Sequence, residues 1–478
     1  MNYKMIRYTL GWLLLFEAGF LLLPMITGIA YLELESLAFL GTMTLCALIG
    51  WLMMRKKPEN TKLYSRDGFV IVALSWITLS LFGALPFMFS GVTNSFVDAL
   101  FEIVSGFTTT GASIFATVEN LPHCILMWRS FSVWLGGMGV LVFIMAFLPL
   151  GGAHNMNIMK AESPGPSVSK LVPRVKTTAL ILYVIYFVLT LTQFILLMYG
   201  GAGFFDAINI AFSTAGTGGF SVRNAGFAAY SPYIQVVTTV FLVIFSINFG
   251  SYYLLIKGKI RDAINTEVRV FLLIVAVATG IITLDIVNKF GSVREAIRHA
   301  AFTVSSIIST AGFATEDFNL WPELSKTIIV LLMFIGACAG STGGGIKVSR
   351  ILILIKGMSR ELKTLVHPKQ VQKISLDSRE VERETVRSVN AYIVCYVILF
   401  ATSVLLLSFE ETDLVTGFTA VASAINNVGP GLGEVGPMSN FGHLSALSKL
   451  TLTFDMLAGR LELFPMLVLF SPATWKKN

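Results

Sequence analysis

Long apolar runs and short polar interruptions alternate along the whole chain, and the runs fall into two length classes. Two long runs come first, over residues 10–31 and 37–54, joined by an acidic turn with Glu33 and Glu35. From residue 68 the pattern becomes periodic: a long run, a short run, a turn with Thr or Asn two positions before Gly, and a second long run. In the first period, runs at 68–90 and 125–150 flank a short one at 95–106. A helix needs about 20 apolar residues to cross a bilayer, and roughly 10–14 fit a re-entrant segment better. The unit recurs at a nearly fixed period, the signature of a repeat architecture. The predicted class is therefore an all-α polytopic membrane protein. Two N-terminal helices (1–67) precede four span–re-entrant loop–span repeats, at 68–150, 177–256, 270–355 and 388–478. Arranged around a central pore, the repeats would give the pseudo-fourfold plan of a potassium channel.

The turns carry the candidate chemistry. Thr109, Thr110 and Gly111 lie in the stretch from Phe107 to Ser113. The other turns hold Thr214, Ala215 and Gly216, then Thr310, Ala311 and Gly312, then Asn427, Val428 and Gly429. Each short run has an acidic residue near its start: Asp98 (with Glu102), Asp206, Glu295 and Asp413. Irregular backbone at membrane depth is tolerated only where protein buries it or where it lines water. Glycine permits φ > 0, which lets carbonyls turn toward an ion. Four such loops face to face would replace an ion's hydration shell with carbonyl oxygens. A single loop reads as well as a helix C-cap, where Gly is the usual residue. Fourfold recurrence favours the pore. No loop reads Thr-Val-Gly-Tyr-Gly, and Asn427 replaces Thr in the fourth. Potassium is expected to be held less strictly than in a potassium channel, which leaves sodium leakage or dependence open.

Composition agrees with the pattern. Of 478 residues, 55% are hydrophobic and 13% charged, against about 25% charged in soluble domains. A net charge of +7 would point to nucleic acid in a soluble chain, but here the basic residues sit in alternate loops. With the N-terminus in the cytoplasm, 27 of the 35 Lys and Arg fall on that side. The positive-inside rule therefore predicts both termini inside, ten full crossings, and re-entrant loops entering from outside. The first 30 residues resemble a signal peptide, but a long run with further spans behind it reads as a retained helix. The four cysteines are isolated, with no metal or disulfide spacing.

Two more stretches stand out. Gly336, Gly340, Gly343, Gly344 and Gly345 fall within ten residues of one apolar run. In a helix each would cost about 1 kcal/mol relative to Ala. The span is thus predicted to break into an irregular loop beneath the filter, although small residues also serve close helix packing. Arg460 lies inside the last apolar run, with Asp455 and Glu462 nearby. An ionisable residue there faces a pore or a partner, and a structural ion pair with Asp455 or Glu462 is the alternative. Gly431, Gly433 and Gly436 spell GxGxxG but follow a re-entrant loop without a βαβ setting. The five histidines are scattered and form no catalytic set.

The four turns, the run from Gly340 to Lys347, and the stretch Ala458 to Leu463 resemble the Trk/Ktr/HKT superfamily of potassium transporters. Within it, the likeness is to the bacterial TrkH/TrkG branch, and it covers essentially the whole chain, including the two extra N-terminal spans. The resemblance implies potassium (K+) as the transported ion and no organic cofactor in this chain. It implies an intramembrane gating loop at Gly340, Ser341, Thr342, Gly343, Gly344 and Gly345. It puts Arg460 in the pore below the filter, beside that loop. It further implies a homodimer in the bacterial inner membrane, in contact with membrane lipid, that binds cytoplasmic TrkA-type nucleotide-binding subunits. The basic loops at 160–176 and 356–387 are candidate docking surfaces, or the ordinary positive-inside excess.

Two functional readings follow. One is a channel-like potassium uptake pore; the other is a secondary transporter symporting potassium with H+ or Na+. Transporter repeats are commonly inverted pairs, whereas all four units here share one orientation, which favours the pore. No nucleophile or metal cluster supports an enzyme, and nothing supports a nucleic-acid partner.

Overall fold

The computed structural model describes every residue except 60–62, 140–174, 369–371, 378, 411 and 477–478. Among the described residues, six helices are long and apolar enough to cross a membrane: Tyr3–Ala30, Ser36–Met54, Arg66–Phe89, Thr177–Tyr199, Thr266–Lys289 and Arg383–Leu407. The last four are the first spans of the four repeats. Ten crossings are expected from the sequence, and the difference lies in the second spans. Pro232–Phe245 and Phe249–Ile256 form a pair bent by 89°. Glu323–Ile335 stops, and the chain returns to helix only at Val348–Val366. Ala446–Arg460 is separated from Phe464–Phe470 by Glu462 and Leu463, both with positive φ. The sequence predicts one broken span, in the third repeat; the second and fourth are broken as well. In the first repeat the described part of the second span is His123–Gly137. Its expected end at residue 150, and most of the basic loop over 160–176, fall outside the described residues. The polar linker over 356–387 holds the β structure seen among the described residues, Ser375–Leu376 against Arg379–Glu380.

Inside this ring lie four half-span helices: Phe96–Phe107, Phe204–Gly216, Val293–Ile308 and Leu414–Asn426. Their acidic residues sit at the N-termini. Asp98, Asp206 and Glu295 occupy the first turn, and Asp413 is the N-cap, accepting from Thr416 N at 2.8 Å. Ser95 and Ser292 cap the first and third helices by accepting from Asp98 N and Glu295 N. Negative groups there complement exposed N–H donors and the helix dipole. These helices are buried along most of their length. The first spans of the second, third and fourth repeats are only 22–28% buried and expose Val184, Leu284 and Val397, which makes them the lipid-facing wall.

The two N-terminal spans cross at Gly11 and Gly50. A Cβ on either would lie within 2.9 Å of the other's carbonyl oxygen, so this is a small-residue crossing. Glu17, on the first of these spans, is wholly buried, and neither carboxyl oxygen has a hydrogen-bond partner. A buried polar group without a partner costs about 1–3 kcal/mol. Glu17→Met is therefore expected to raise the thermal unfolding temperature of the purified protein and to leave ion flux unchanged. A fall in either would mean that the carboxyl has a partner or a functional role.

Candidate functional site

Each half-span helix ends on a residue in the left-handed conformation. These residues are Thr109 (φ 56°), Thr217 (56°), Thr310 (62°) and Asn427 (57°). A β-branched residue at positive φ is a genuine outlier, and each costs of order 1–3 kcal/mol. Three threonines strained at one register position mark a built feature. In every loop the following N–H turns back to a serine carbonyl: Thr110 N to Ser105 O, Gly218 N to Ser213 O, Ala311 N to Ser306 O and Val428 N to Ser423 O, all at 2.8–2.9 Å. That serine lies four positions before the left-handed residue in all four repeats.

This register corrects the second loop. Thr214, Ala215 and Gly216 lie in the last turn of Phe204–Gly216, and the loop proper is Thr217, Gly218 and Gly219. The segment contains two consecutive Thr-x-Gly triplets, and the helix runs through the first before the chain turns. Gly216 serves helix packing, since a Cβ there would meet Val133 Cγ1 at 2.7 Å and collide with the Val133 carbonyl. At the same register the other three loops hold Thr109 to Gly111, Thr310 to Gly312 and Asn427 to Gly429.

With the corrected register the loops close on one another. A Cβ on Gly111 would collide with Gly219 N, one on Gly219 with Ala311 O, and one on Gly312 with Val428 O. A Cβ on Gly429 would lie 2.7 Å from Thr110 O. Each loop glycine is thus pressed against the backbone of the next loop, first to second to third to fourth and back to first. Gly111, Gly219, Gly312 and Gly429 also line one cavity of about 140 Å³, together with Ser113 and Arg129. A water needs about 10–15 Å³ of such space, so the cavity holds several. Thr109 Oγ1 and Asn427 Oδ1, at matching positions of two loops, are buried oxygens without partners.

The glycine segment packs directly against the helix C-termini that carry the third and fourth loops. Gly344 N donates to Thr310 Oγ1 at 2.6 Å, and Gly345 N donates to Asn426 O at 3.1 Å. Cβ atoms on Gly343 and Gly344 would collide with Ser309 O and Asn426 O. On another side the segment fills the bend of the second repeat: Thr342 Oγ1 donates to Phe245 O at 3.2 Å, and Phe249 N donates to Gly340 O at 3.0 Å. Arg460 joins it to the first repeat. Its guanidinium donates to Thr342 O and Gly137 O, both at 2.7 Å, and to Gly136 O. The nearby acids are engaged elsewhere: Asp455 with Ser403 Oγ (2.8 Å) and Glu462 with Arg350.

Several contacts here are not announced by the sequence. Glu267 Oε1 accepts from Ala339 N (2.7 Å) and Ser349 N (3.1 Å), stapling the two ends of the glycine segment. Lys347 is buried and donates to Gly343 O. Glu102 and Arg129 form a buried ion pair beside the cavity. Glu267 does carry a readable signal, as the one acid in the first turn of a long, mostly apolar span. The GxGxxG stretch folds back on the fourth half-span helix, with Leu432 N donating to Thr419 Oγ1 at 2.8 Å.

Comparison with known proteins agrees with this architecture. The family model "TrkH: Cation transport protein" matches residues 35–477. The Trk system potassium uptake protein TrkH of Salmonella typhimurium is 38% identical over 487 residues, covering 100% of both chains. The Trk system potassium uptake protein TrkG of Escherichia coli K12 is 34% identical over 486 residues, covering 99% of both. The crystal structure of the potassium transporter TrkH from Vibrio parahaemolyticus matches with a TM-score of 0.90 at 34% identity, covering 100% of both chains.

Proposed function

Because this chain belongs to the TrkH family of cation transport proteins, we propose that it takes up potassium through the ring of four loops. It is a multi-span membrane cation transporter, not an enzyme. The observation that carries the reading is the closure of the loops on one another at Gly111, Gly219, Gly312 and Gly429. The ion ligands are the backbone carbonyls of Thr109, Thr110 and Gly111, of Thr217, Gly218 and Gly219, of Thr310, Ala311 and Gly312, and of Asn427, Val428 and Gly429. Carbonyl rings select by cavity size and by the number and field of their dipoles. Unequal loop sequences give unequal fields, so selection against sodium is finite.

Beneath the ring, the segment from Gly340 to Gly345 with Arg460 is the gate. It bridges the third, fourth, second and first repeats through backbone groups, two threonine hydroxyls and one guanidinium. The placement of Lys and Arg supports a ring that opens outward with both termini in the cytoplasm. A second copy of the chain and a cytoplasmic nucleotide-binding Trk component complete the system, the latter docking on the basic face.

Proteoliposomes separate this reading from symport. With a membrane potential imposed and no proton or sodium gradient, rubidium uptake is expected to proceed and to follow the potential. At fixed potential, uptake that rises when a proton or sodium gradient is added would favour the coupled transporter.

A further inference from the structure

The four loops leave the ring at four junctions, each tied by hydrogen bonds between neighbouring repeats, and two of the junctions also carry an ion pair. Phe227 N donates to Ala314 O (3.0 Å) between the second and third repeats. Asn319 Nδ2 donates to Gly433 O (3.0 Å) between the third and fourth. Phe441 N donates to Ser113 O (2.8 Å) between the fourth and first. Lys449 Nζ also donates to Asp98 Oδ1 (2.7 Å) at that last junction. The junction of the first and second repeats has a neutral tie too, Val118 N donating to Asn224 Oδ1 (2.7 Å), and in addition an ion pair buried at the loop exits themselves.

Arg129 Nε donates to Glu102 Oε1 at 2.7 Å, with the two side chains 2% and 0% exposed. Glu102 catches the chain directly after Gly111: Oε1 accepts from Ser113 Oγ (3.0 Å) and Oε2 from Ile114 N (2.9 Å). Arg129 catches the chain directly after Gly219. Its Nη1 donates to Ser221 O at 3.2 Å, and its guanidinium lies 4.2 Å from the Phe220 ring centroid. Its Nη2 returns to Ser113 Oγ at 3.2 Å. The half-span helices of the third and fourth repeats also catch their returning chains, through His299 to Thr315 Oγ1 and Thr419 to Leu432 N, each at 2.8 Å. Those ties stay within one repeat. The pair at Glu102 and Arg129 reaches across two.

We infer that Glu102 and Arg129 are positioning residues that set the spacing of the first and second loops and through it the discrimination of potassium from sodium. The inference rests on the reading of the ring as a filter. A buried ion pair is weak support for stability, because desolvation offsets attraction, but it fixes geometry when its remaining hydrogen bonds are satisfied. Here every donor and acceptor named is used at a loop exit. The pair is also neutral as a whole, so the carboxylate offsets the guanidinium's charge beside the cavity. Cation–guanidinium repulsion at short range would otherwise oppose ion access.

The test measures rubidium and sodium uptake by the whole chain in proteoliposomes, normalised to folded protein, for Glu102→Gln, Arg129→Lys, Ser113→Ala and the ring variant Gly219→Ala. Glu102→Gln is expected to lower the rubidium-to-sodium ratio by about tenfold, the effect of losing a charge-assisted hydrogen bond. Arg129→Lys keeps the charge but cannot fork to Ser221 O and Ser113 Oγ together, so a smaller fall is expected. Ser113→Ala strands no charge and is expected to lower the ratio by roughly threefold, in line with a neutral hydrogen bond; it decides the matter if the charge variants do not fold. Wild-type ratios in Ser113→Ala and in every charge variant that folds, with the ratio lost in Gly219→Ala, would overturn the inference and leave the filter standing. Wild-type ratios in all of them, Gly219→Ala included, would overturn the filter reading and this inference with it.

Discussion

Arg460→Ala is expected to raise basal rubidium flux several-fold and to loosen its dependence on the cytoplasmic regulatory component. A segment with Gly340, Gly343, Gly344 and Gly345 has little order of its own, so contacts must hold it beneath the ring. Arg460 supplies three of them, to the carbonyls of Thr342, Gly136 and Gly137. Its removal frees the segment from the first repeat. It also removes a fixed positive charge beside the path, which at 4 Å and an effective ε of 20 is worth about 4 kcal/mol against a cation. Both effects push flux upward. A structural role alone would lower folded yield and flux together. Folded Arg460→Ala with flux at or below wild type would show that the segment is scaffold and not gate.

The second large effect separates two glycines three residues apart. Gly219→Ala is expected to cut the potassium-to-sodium ratio by roughly tenfold, about 1.4 kcal/mol between the two ions. Its Cβ would collide with Ala311 O inside the ring, so the ring must spread, and ligand spacing is what the proposed filter would read. Gly216→Ala places its methyl against Val133, at a helix–helix contact outside the ring. Overpacking of this kind costs about 1–3 kcal/mol, so folded yield is expected to fall with the ratio retained. The opposite assignment, with Gly216→Ala losing selectivity and Gly219→Ala keeping it, would restore Thr214, Ala215 and Gly216 as the ligand loop.

The class of the protein and its repeats are legible because a bilayer accepts only long apolar helices and protected loops. The acidic starts of the half-spans are legible for a similar reason: Asp98, Asp206, Glu295 and Asp413 sit where helix N-termini want negative charge. The register of the second loop is not legible from Thr-x-Gly alone, since Thr214 to Gly216 and Thr217 to Gly219 both satisfy it. The deciding signal is the serine four places earlier, at Ser105, Ser213, Ser306 and Ser423, and its meaning comes from the backbone bonds it accepts. The bend between Phe245 and Phe249 contains neither Gly nor Pro. It is stabilised from outside, by Cys338 N on Ser246 O and Thr342 on Phe245 O, contacts that local propensity cannot foresee. The pair Glu102 and Arg129 joins residues on different helices, and no periodicity announces it.

The central claim is that four backbone loops, closed on one another, choose the ion. The most direct measurement is the rubidium-to-sodium flux ratio in proteoliposomes for Gly111→Ala, Gly219→Ala, Gly312→Ala and Gly429→Ala beside wild type, normalised to folded protein. The account predicts a wild-type ratio well above one and a fall in each of the four variants, whichever repeat carries the change. A wild-type ratio near one, or ratios unchanged in all four variants at normal levels of folded protein, would contradict it.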